Sequence, residues 1–128
     1  MCGFLLITNF SNLEKKKISY SLKRISHRGP DDFKEEYDEK NGIYFGFNRL
    51  SIQDTSNLSM QPFTISQNNK RYVLLFNGEI YNYKELRKEL EILGIKFRSQ
   101  GDTEVLLQCY INWGLDITLE KIKGMYSF

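Results

Sequence analysis

The second residue of the chain, Cys2, places a thiol directly behind the initiator methionine. Removal of Met1 would leave Cys2 with a free α-amine beside its thiol, so that one residue could supply both a nucleophile and a general base. Methionine removal is sterically easy before a residue as small as cysteine. A cysteine at this position is nevertheless more often incidental, and the rest of the sequence has to decide between the two interpretations.

Thiolate attack on an amide creates an oxyanion that needs hydrogen-bond donors. The dipeptide Asn77-Gly78 follows an apolar run and offers a side-chain amide and an unhindered backbone N–H. These two donor types suit an oxyanion hole. The same dipeptide is more often a simple turn, so the pattern alone leaves both interpretations open.

An α-amino acid substrate would need a cation for its carboxylate and an anion for its ammonium group. Arg49 offers a bidentate guanidinium group, and Asp102 and Glu79 offer carboxylates. Each also has an ordinary alternative, because Arg49 could be a surface cation and Asp102 a helix N-cap. Spacing alone does not unite these residues into a site.

Bulk composition limits the class of protein. The 128 residues suffice for one domain, and 41% hydrophobic with 27% charged residues is typical of a globular chain. A net charge of +2 does not indicate nucleic acid or a membrane as a partner. Two cysteines, Cys2 and Cys109, and one histidine, His27, are too few for a disulfide framework or a zinc site, and we expect a reduced, cytoplasmic protein with Cys109 in the core.

Hydrophobic periodicity predicts alternating strands and helices. Strands are predicted at 3–9, 71–78, 95–99 and 125–128, a hairpin at 33–52 around Asn41-Gly42, helices at 11–25, 82–94 and 102–114, and a further helical turn at 118–123. Residues 26–32 and 53–70 are predicted to be loops. Ser11 and Asn82 are expected to cap helices, and Leu86, Leu90 and Leu93 are expected to face the core. The pattern indicates an α+β fold and not a simple βαβ repeat.

Seven short motifs resemble the class II glutamine amidotransferase domain of the asparagine synthetase type, and they run in family order from the first residue to the last. They are "MCG" at the start, "HRGPDD" at 27–32, "RLSIQD" at 49–54, "QPF" at 61–63, "FNGEIYNYKELR" at 76–87, "GDTEVLL" at 101–107 and "GMYSF" at 124–128. The resemblance implies an N-terminal-nucleophile glutaminase with an αββα four-layer sandwich. It implies L-glutamine as the substrate and no metal or cofactor in this domain.

The resemblance also assigns catalytic roles. Cys2 would be the nucleophile, and Asn77 with Gly78 would form the oxyanion hole. The "HRGPDD" loop would pack near the site and support it, without a proton-transfer role for His27.

Substrate-binding roles follow in the same way. Arg49 would bind the glutamine carboxylate, and Asp102, assisted by Glu79, would bind its ammonium group. Four consecutive residues would line the glutamine pocket: Leu50, Ser51, Ile52 and Gln53. Gln53 departs from many relatives, which have an apolar residue there, and we expect it to alter one pocket contact.

Relatives with these motifs continue past "GMYSF"-like segments into further strands and a synthetase domain that uses ATP and magnesium. We therefore expect residues 1–128 to be the N-terminal portion of a glutaminase domain, a fragment with weak or no turnover on its own. A synthetase domain or partner subunit would receive the ammonia, and the sequence leaves open whether aspartate or another carboxylate is aminated. A non-catalytic module that binds glutamine or a partner chain is the alternative function.

Overall fold

The computed structural model describes residues 2–10, 14–51 and 57–128 and contains both helices and strands. The elements are β1 (Gly3–Thr8), α1 (Lys15–Arg24), β2 (Asp32–Asp38), β3 (Ile43–Arg49), β4 (Phe63–Gln67), β5 (Lys70–Leu74), β6 (Asn77–Ile80), α2 (Tyr83–Ile92), α3 (Asp102–Lys121) and β7 (Gly124–Ser127). The described strands pair antiparallel in three open groups, β1-β3-β2, β4-β5 and β6-β7. This mixture of helix and sheet agrees with the predicted α+β class.

The first sheet contains the predicted N-terminal strand and the predicted hairpin. β1 and β2 flank β3, with Gly3 and Phe33 both opposite Asn48. Gly42, with a φ of 63°, closes the turn between β2 and β3, as the Asn-Gly signal predicted. α1 covers this sheet through buried Ile18 and Leu22. It begins at Lys15, and the predicted cap Ser11 lies outside the described residues.

The prediction of a loop over 53–70 is wrong for its second half. β4 begins at Phe63 and pairs with β5 through a two-residue connection. Asn68 and Asn69 both have positive φ values, 52° and 59°, which is the geometry of a type I′ hairpin turn. Asparagine tolerates this conformation, so the Asn-Asn dipeptide was the missed signal.

The single strand predicted at 71–78 is two strands in different sheets. β5 ends at Leu74 with its partner Phe63, and β6 starts at Asn77 opposite Ser127 of β7. β7 agrees with the strand predicted at the end of the chain. Residues 75 and 76 lie in the break between the two ladders.

α2 and α3 enclose a core with β4, β5 and β6. The predicted core residues Leu86 and Leu90 of α2 are buried, but Leu93 is 61% exposed, so its prediction is wrong. Gly114, with a φ of 80°, interrupts α3 where the prediction ended it, and helix then continues to Lys121. Cys109 is fully buried in the core, as expected, and burial raises the pKa of its thiol to about 12.

Two further predictions around these helices are wrong. The Asn82 side chain does not cap α2 but donates to Lys121 O and accepts from Lys123 N–H, tying the start of α2 to the end of α3. Residues 95–99 form no strand, because the Glu104 carboxylate accepts from the backbone N–H groups of Arg98 and Ser99. Among the described helices, none has the length and apolar character needed to cross a membrane.

Candidate active site

All predicted site residues that the structure describes line one cavity of about 160 Å³. They come from the ends of four elements: the residue before β1, the end of β3, the start of β6 and the start of α3. These residues are Cys2, Arg49, Leu50, Ser51, Asn77, Gly78, Glu79 and Asp102. The other two predicted residues, Ile52 and Gln53, lie outside the described residues.

Cys2 has a half-buried thiol that contacts the backbone of Leu50. The Leu50 N–H donates to Cys2 Sγ over 3.3 Å, and the thiol donates to Leu50 O over 3.6 Å. Arg28 Nε donates to the Cys2 carbonyl oxygen over 3.2 Å. These hydrogen bonds attach Cys2 to the end of β3 and to Arg28.

The loop that precedes β2 packs on the end of β3. Gly29 lies so close that an added Cβ would be 2.3 Å from Asn48 O. The Asp31 N–H donates to Arg49 O over 3.0 Å, and Asp31 Oδ2 accepts from the Ser51 N–H over 2.7 Å. Arg49 itself is only 6% exposed. The loop thus holds the backbone of two cavity residues, in the supporting place predicted for it.

Asn77 and Gly78 open β6 at the cavity wall. Asn77 Oδ1 is buried and, within the described ranges, has no hydrogen-bond partner. A Cβ added at Gly78 would lie 2.2 Å from Met125 O, so the close approach of β7 requires glycine here. An unpaired buried acceptor costs free energy, so Asn77 Oδ1 is available to a hydrogen-bond donor that enters the cavity.

Asp102 begins α3 and is 7% exposed. Its Oδ2 accepts from the Ile80 N–H over 2.9 Å, which joins α3 to β6. Burial is the largest cause that raises the pKa of its carboxyl, and the charge of nearby Glu79 raises it further, against the opposing effect of backbone hydrogen bonds. Two carboxylates therefore share this end of the cavity, opposite in sign to Arg49.

Several cavity residues were not predicted as site residues. They are Phe47, Ser59, Gln61, Phe76, Gly101, Thr103 and Met125. The motifs "QPF" at 61–63 and "GMYSF" at 124–128 marked Gln61 and Met125 without giving them a role, whereas Ser59 lies in none of the seven motifs. Exposed His27 does not line the cavity, and in the described part of the chain no cluster of His, Cys, Asp and Glu could hold a metal ion.

Residues 1–128 match the family model described as "Glutamine amidotransferase domain". The chain belongs to this family. The amidotransferase family predicted from the seven motifs is thereby confirmed.

Three relatives of this amidotransferase chain are named as asparagine synthetases. Asparagine synthetase [glutamine-hydrolyzing] 1 of Bacillus subtilis is 42% identical over 133 residues, covering 100% of this chain and 20% of the relative. A putative asparagine synthetase [glutamine-hydrolyzing] of Mycobacterium tuberculosis is 44% identical, covering 80% and 16%. Asparagine synthetase [glutamine-hydrolyzing] 3 of Bacillus subtilis is 34% identical, covering 100% and 21%. The chain therefore spans about a fifth of the length of the curated relatives it matches.

Proposed function

We propose that this chain is the glutaminase part of an asparagine synthetase-type amidotransferase and hydrolyses L-glutamine to L-glutamate and ammonia. The observation that carries the proposal is one cavity lined by the thiol of Cys2, the donors of Asn77-Gly78, and the opposite charges of Arg49 and Asp102. The carboxamide, the α-carboxylate and the α-ammonium group of glutamine each have a complementary partner in this set. The names of the relatives also include glutamine hydrolysis.

The chemical step begins at Cys2. After removal of Met1, the α-amine accepts the thiol proton, and the thiolate attacks the carboxamide carbon. The C–N bond then breaks, ammonia leaves with the accepted proton, and a γ-glutamyl thioester remains on Sγ. Water attacks this thioester, giving L-glutamate and the free thiol. The Leu50 N–H directed at Sγ supports this assignment, because a hydrogen bond to a thiolate stabilises the charged form.

Asn77 and Gly78 stabilise the oxyanion of the tetrahedral intermediate in this proposal. The Asn77 side-chain amide and the Gly78 N–H are the donors. Such donors act where negative charge develops in the transition state, and loss of one typically costs about 10²–10³ in kcat. The unpaired Asn77 Oδ1 supports a ligand here, because N–H donors of the substrate would satisfy it.

Arg49 binds the α-carboxylate, and Asp102 with Glu79 binds the α-ammonium group. The buried position of Arg49 supports this role, since a guanidinium held away from water pairs strongly with a carboxylate. The walls of the glutamine pocket are Leu50, Ser51, Ile52 and Gln53, of which the last two lie outside the described residues.

The finer fold assignment is also a proposal, namely an αββα four-layer sandwich. α1 packs on β3, whereas α3 packs on β4, β5 and β6. An apolar cavity of about 450 Å³ is lined by Phe4 and Phe45 of the first sheet and by Leu74 of β5, together with residues of α3. Helix packing on each of the two strand groups, with apolar residues of both groups lining one cavity, supports this layer order.

We assign residues 1–128 to the N-terminal portion of the glutaminase domain, which needs no cofactor of its own. ATP and magnesium would act in a synthetase domain, in the same polypeptide or in a partner subunit, that receives the ammonia. The nucleophile must be a reduced thiol, and Cys2 and Cys109 are both free. We therefore place the protein in the reducing cytoplasm.

A glutaminase assay on the 128-residue chain tests the proposal. We expect weak turnover with equal amounts of glutamate and ammonia, an intact mass without Met1, and an acyl adduct on Cys2 in quenched reactions. Cys2→Ala should abolish turnover, and Cys109→Ala, at the other cysteine, should retain it. A chain that binds glutamine but yields neither ammonia nor adduct would be a non-catalytic binding module, and the proposal would be wrong.

A further inference from the structure

Gln61 makes a two-point contact with the backbone of Phe76. Gln61 Nε2 donates to Phe76 O over 3.0 Å, and Gln61 Oε1 accepts from the Phe76 N–H over 2.5 Å. The Gln61 side chain is 4% exposed and both residues line the cavity. The side-chain amide presents an N–H and a C=O along one edge, as a residue of a paired strand does, so this side chain occupies the place of a neighbouring strand.

The position of Gln61 explains why its side chain, and not its backbone, makes the hydrogen bonds to Phe76. β4 and β5 pair in a register that sets Phe63 opposite Leu74. Continued by two residues, this register sets Gln61 opposite Phe76. The intervening Pro62 has no N–H to donate to the ladder, so the backbone pairing stops there. At Gln61, one residue beyond Pro62 in the direction away from β4, the side-chain amide makes the two hydrogen bonds to Phe76 that a continued backbone ladder would have made.

Phe76 needs these hydrogen bonds because it lies in the break between two ladders. β5 ends at Leu74, and β6 pairs with β7 only from Asn77 onward. Phe76 is 3% exposed, so water does not readily replace a missing partner. An unsatisfied buried backbone group destabilises the folded chain. The Gln61 contact therefore fixes the residue that directly precedes Asn77.

We propose that Gln61 is a positioning residue for the oxyanion hole, a role that rests on the proposed glutaminase function. Gly78 is held from the other side by β7, and Ile80 is held by the Asp102 carboxylate. Gln61 holds the chain on the other side, at Phe76, where the pairing of β5 with β4 has already ended. Without the Gln61 contact, Asn77 and Gly78 are held only by β7 and by the hydrogen bond between Ile80 and Asp102.

The expected effects on kcat and KM follow from the stage of the reaction at which the oxyanion forms. Donors to the oxyanion act in the transition state and not on bound glutamine, so their misplacement lowers kcat and leaves KM nearly unchanged. A displacement of about 1 Å can cost on the order of a hundredfold in rate. Gln61 itself does not touch the reacting atoms in this scheme.

Gln61→Leu and Gln61→Glu test the proposal, and Gln108→Leu is the matched control. Gln108 is also a buried glutamine, at 7% exposure, but it lies on α3 and does not line the cavity. In Gln61→Leu we expect kcat to fall about 10–100-fold with KM within about twofold. Amide exchange at Phe76, Asn77 and Gly78 should accelerate by about tenfold or more. The control should change neither kcat nor the exchange of these three amides.

Gln61→Glu gives a second, pH-dependent readout. An ionised carboxylate still accepts from the Phe76 N–H but repels Phe76 O, whereas a protonated carboxyl donates to that oxygen. The kcat of this variant relative to the unmodified chain should therefore rise as pH falls. It also keeps the test decisive if Gln61→Leu does not fold.

The inference and the proposed function can fail separately. If the unmodified chain turns over no glutamine, the proposed function fails, and the exchange measurement still reports on Gln61. Unchanged exchange at residues 76–78 in folded Gln61 variants overturns the positioning role. So does a loss carried mainly by KM, which would make Gln61 a substrate contact.

Discussion

Asp102 Oδ2 accepts a hydrogen bond from the Ile80 N–H over 2.9 Å, so the first residue of α3 is bonded to the last residue of β6. Burial raises the pKa of the Asp102 carboxyl, and the charge of Glu79 adds to this rise. The folded chain therefore holds the Asp102 charge at a cost in stability. A bound α-ammonium group would offset that cost, which links substrate binding to the stability of this junction.

Asp102→Asn is expected to raise KM for glutamine at least tenfold, an effect of about 1.4 kcal/mol or more, because the amide keeps an acceptor for Ile80 but loses the charge. In the unmodified chain, KM should rise as pH falls and Asp102 becomes protonated. The variant should lack this part of the pH dependence. Steady-state kinetics across about pH 5–8 check both expectations, and a variant KM equal to that of the parent removes Asp102 from the ammonium site.

The same substitution has an expected effect on stability. Since the folded-state pKa is raised above the unfolded value, the unmodified chain loses stability as pH rises through the unfolded value and toward the folded one. Urea unfolding at neutral pH should show Asp102→Asn at least as stable as its parent. The difference should shrink as pH falls to about 4, near the ordinary pKa of aspartate.

Arg49→Ala is expected to raise KM for glutamine with a smaller change in kcat. Loss of a charge-assisted hydrogen bond costs about 1.5–3 kcal/mol, which corresponds to roughly a 10–150-fold rise. Arg49→Lys should recover part of this loss, because lysine keeps the charge without the bidentate geometry. An Arg49→Ala variant with unchanged KM would exclude Arg49 from the glutamine site.

Gly78→Ala is expected to abolish turnover and lower the thermal midpoint. The added methyl would lie 2.2 Å from Met125 O and 2.6 Å from Tyr126 Cα, which forces β6 and β7 apart. Gly94→Ala is the control, since Gly94 has a φ of 86° but no atom within 4 Å of the added methyl. That control should lose about 1–2 kcal/mol of stability through backbone strain and keep its kcat. Equal activity in both variants would contradict the oxyanion-hole role.

Local signals predicted the elements that depend on local sequence. The Asn-Gly turn between β2 and β3 needs only residues that tolerate positive φ, and the helical spacing of Leu86 and Leu90 reports one buried face. The signals failed where a side chain satisfies the backbone in place of a neighbouring strand. The strand predicted at 95–99 is absent because Glu104 binds the N–H groups of Arg98 and Ser99.

The candidate site was predictable for a different reason. Its residues stand at the ends of elements, where strand and helix formation does not need a thiol, a guanidinium or an Asn-Gly pair. Their types suggested chemistry, but only the motif resemblance joined them, since Cys2 and Asp102 lie at opposite ends of the chain. The contact of Gln61 with Phe76 could not be predicted from the sequence, because it depends on where the β4–β5 ladder ends and the β6–β7 ladder begins.

The pocket contacts also have a consequence for the timing of folding. Cys2 and Leu50 are separated by 48 positions, Ile80 and Asp102 by 22, and Gln61 and Phe76 by 15. Each contact closes a loop of the chain, and closing a loop costs conformational entropy. We therefore expect hairpins and helices, whose contacts are local, to form earlier than the pocket. If the chain is a glutaminase as proposed, a chain emerging from the ribosome presents its thiol long before it could bind glutamine. Ammonia release would then be confined to chains whose synthesis has passed α3 and whose long-range contacts are complete.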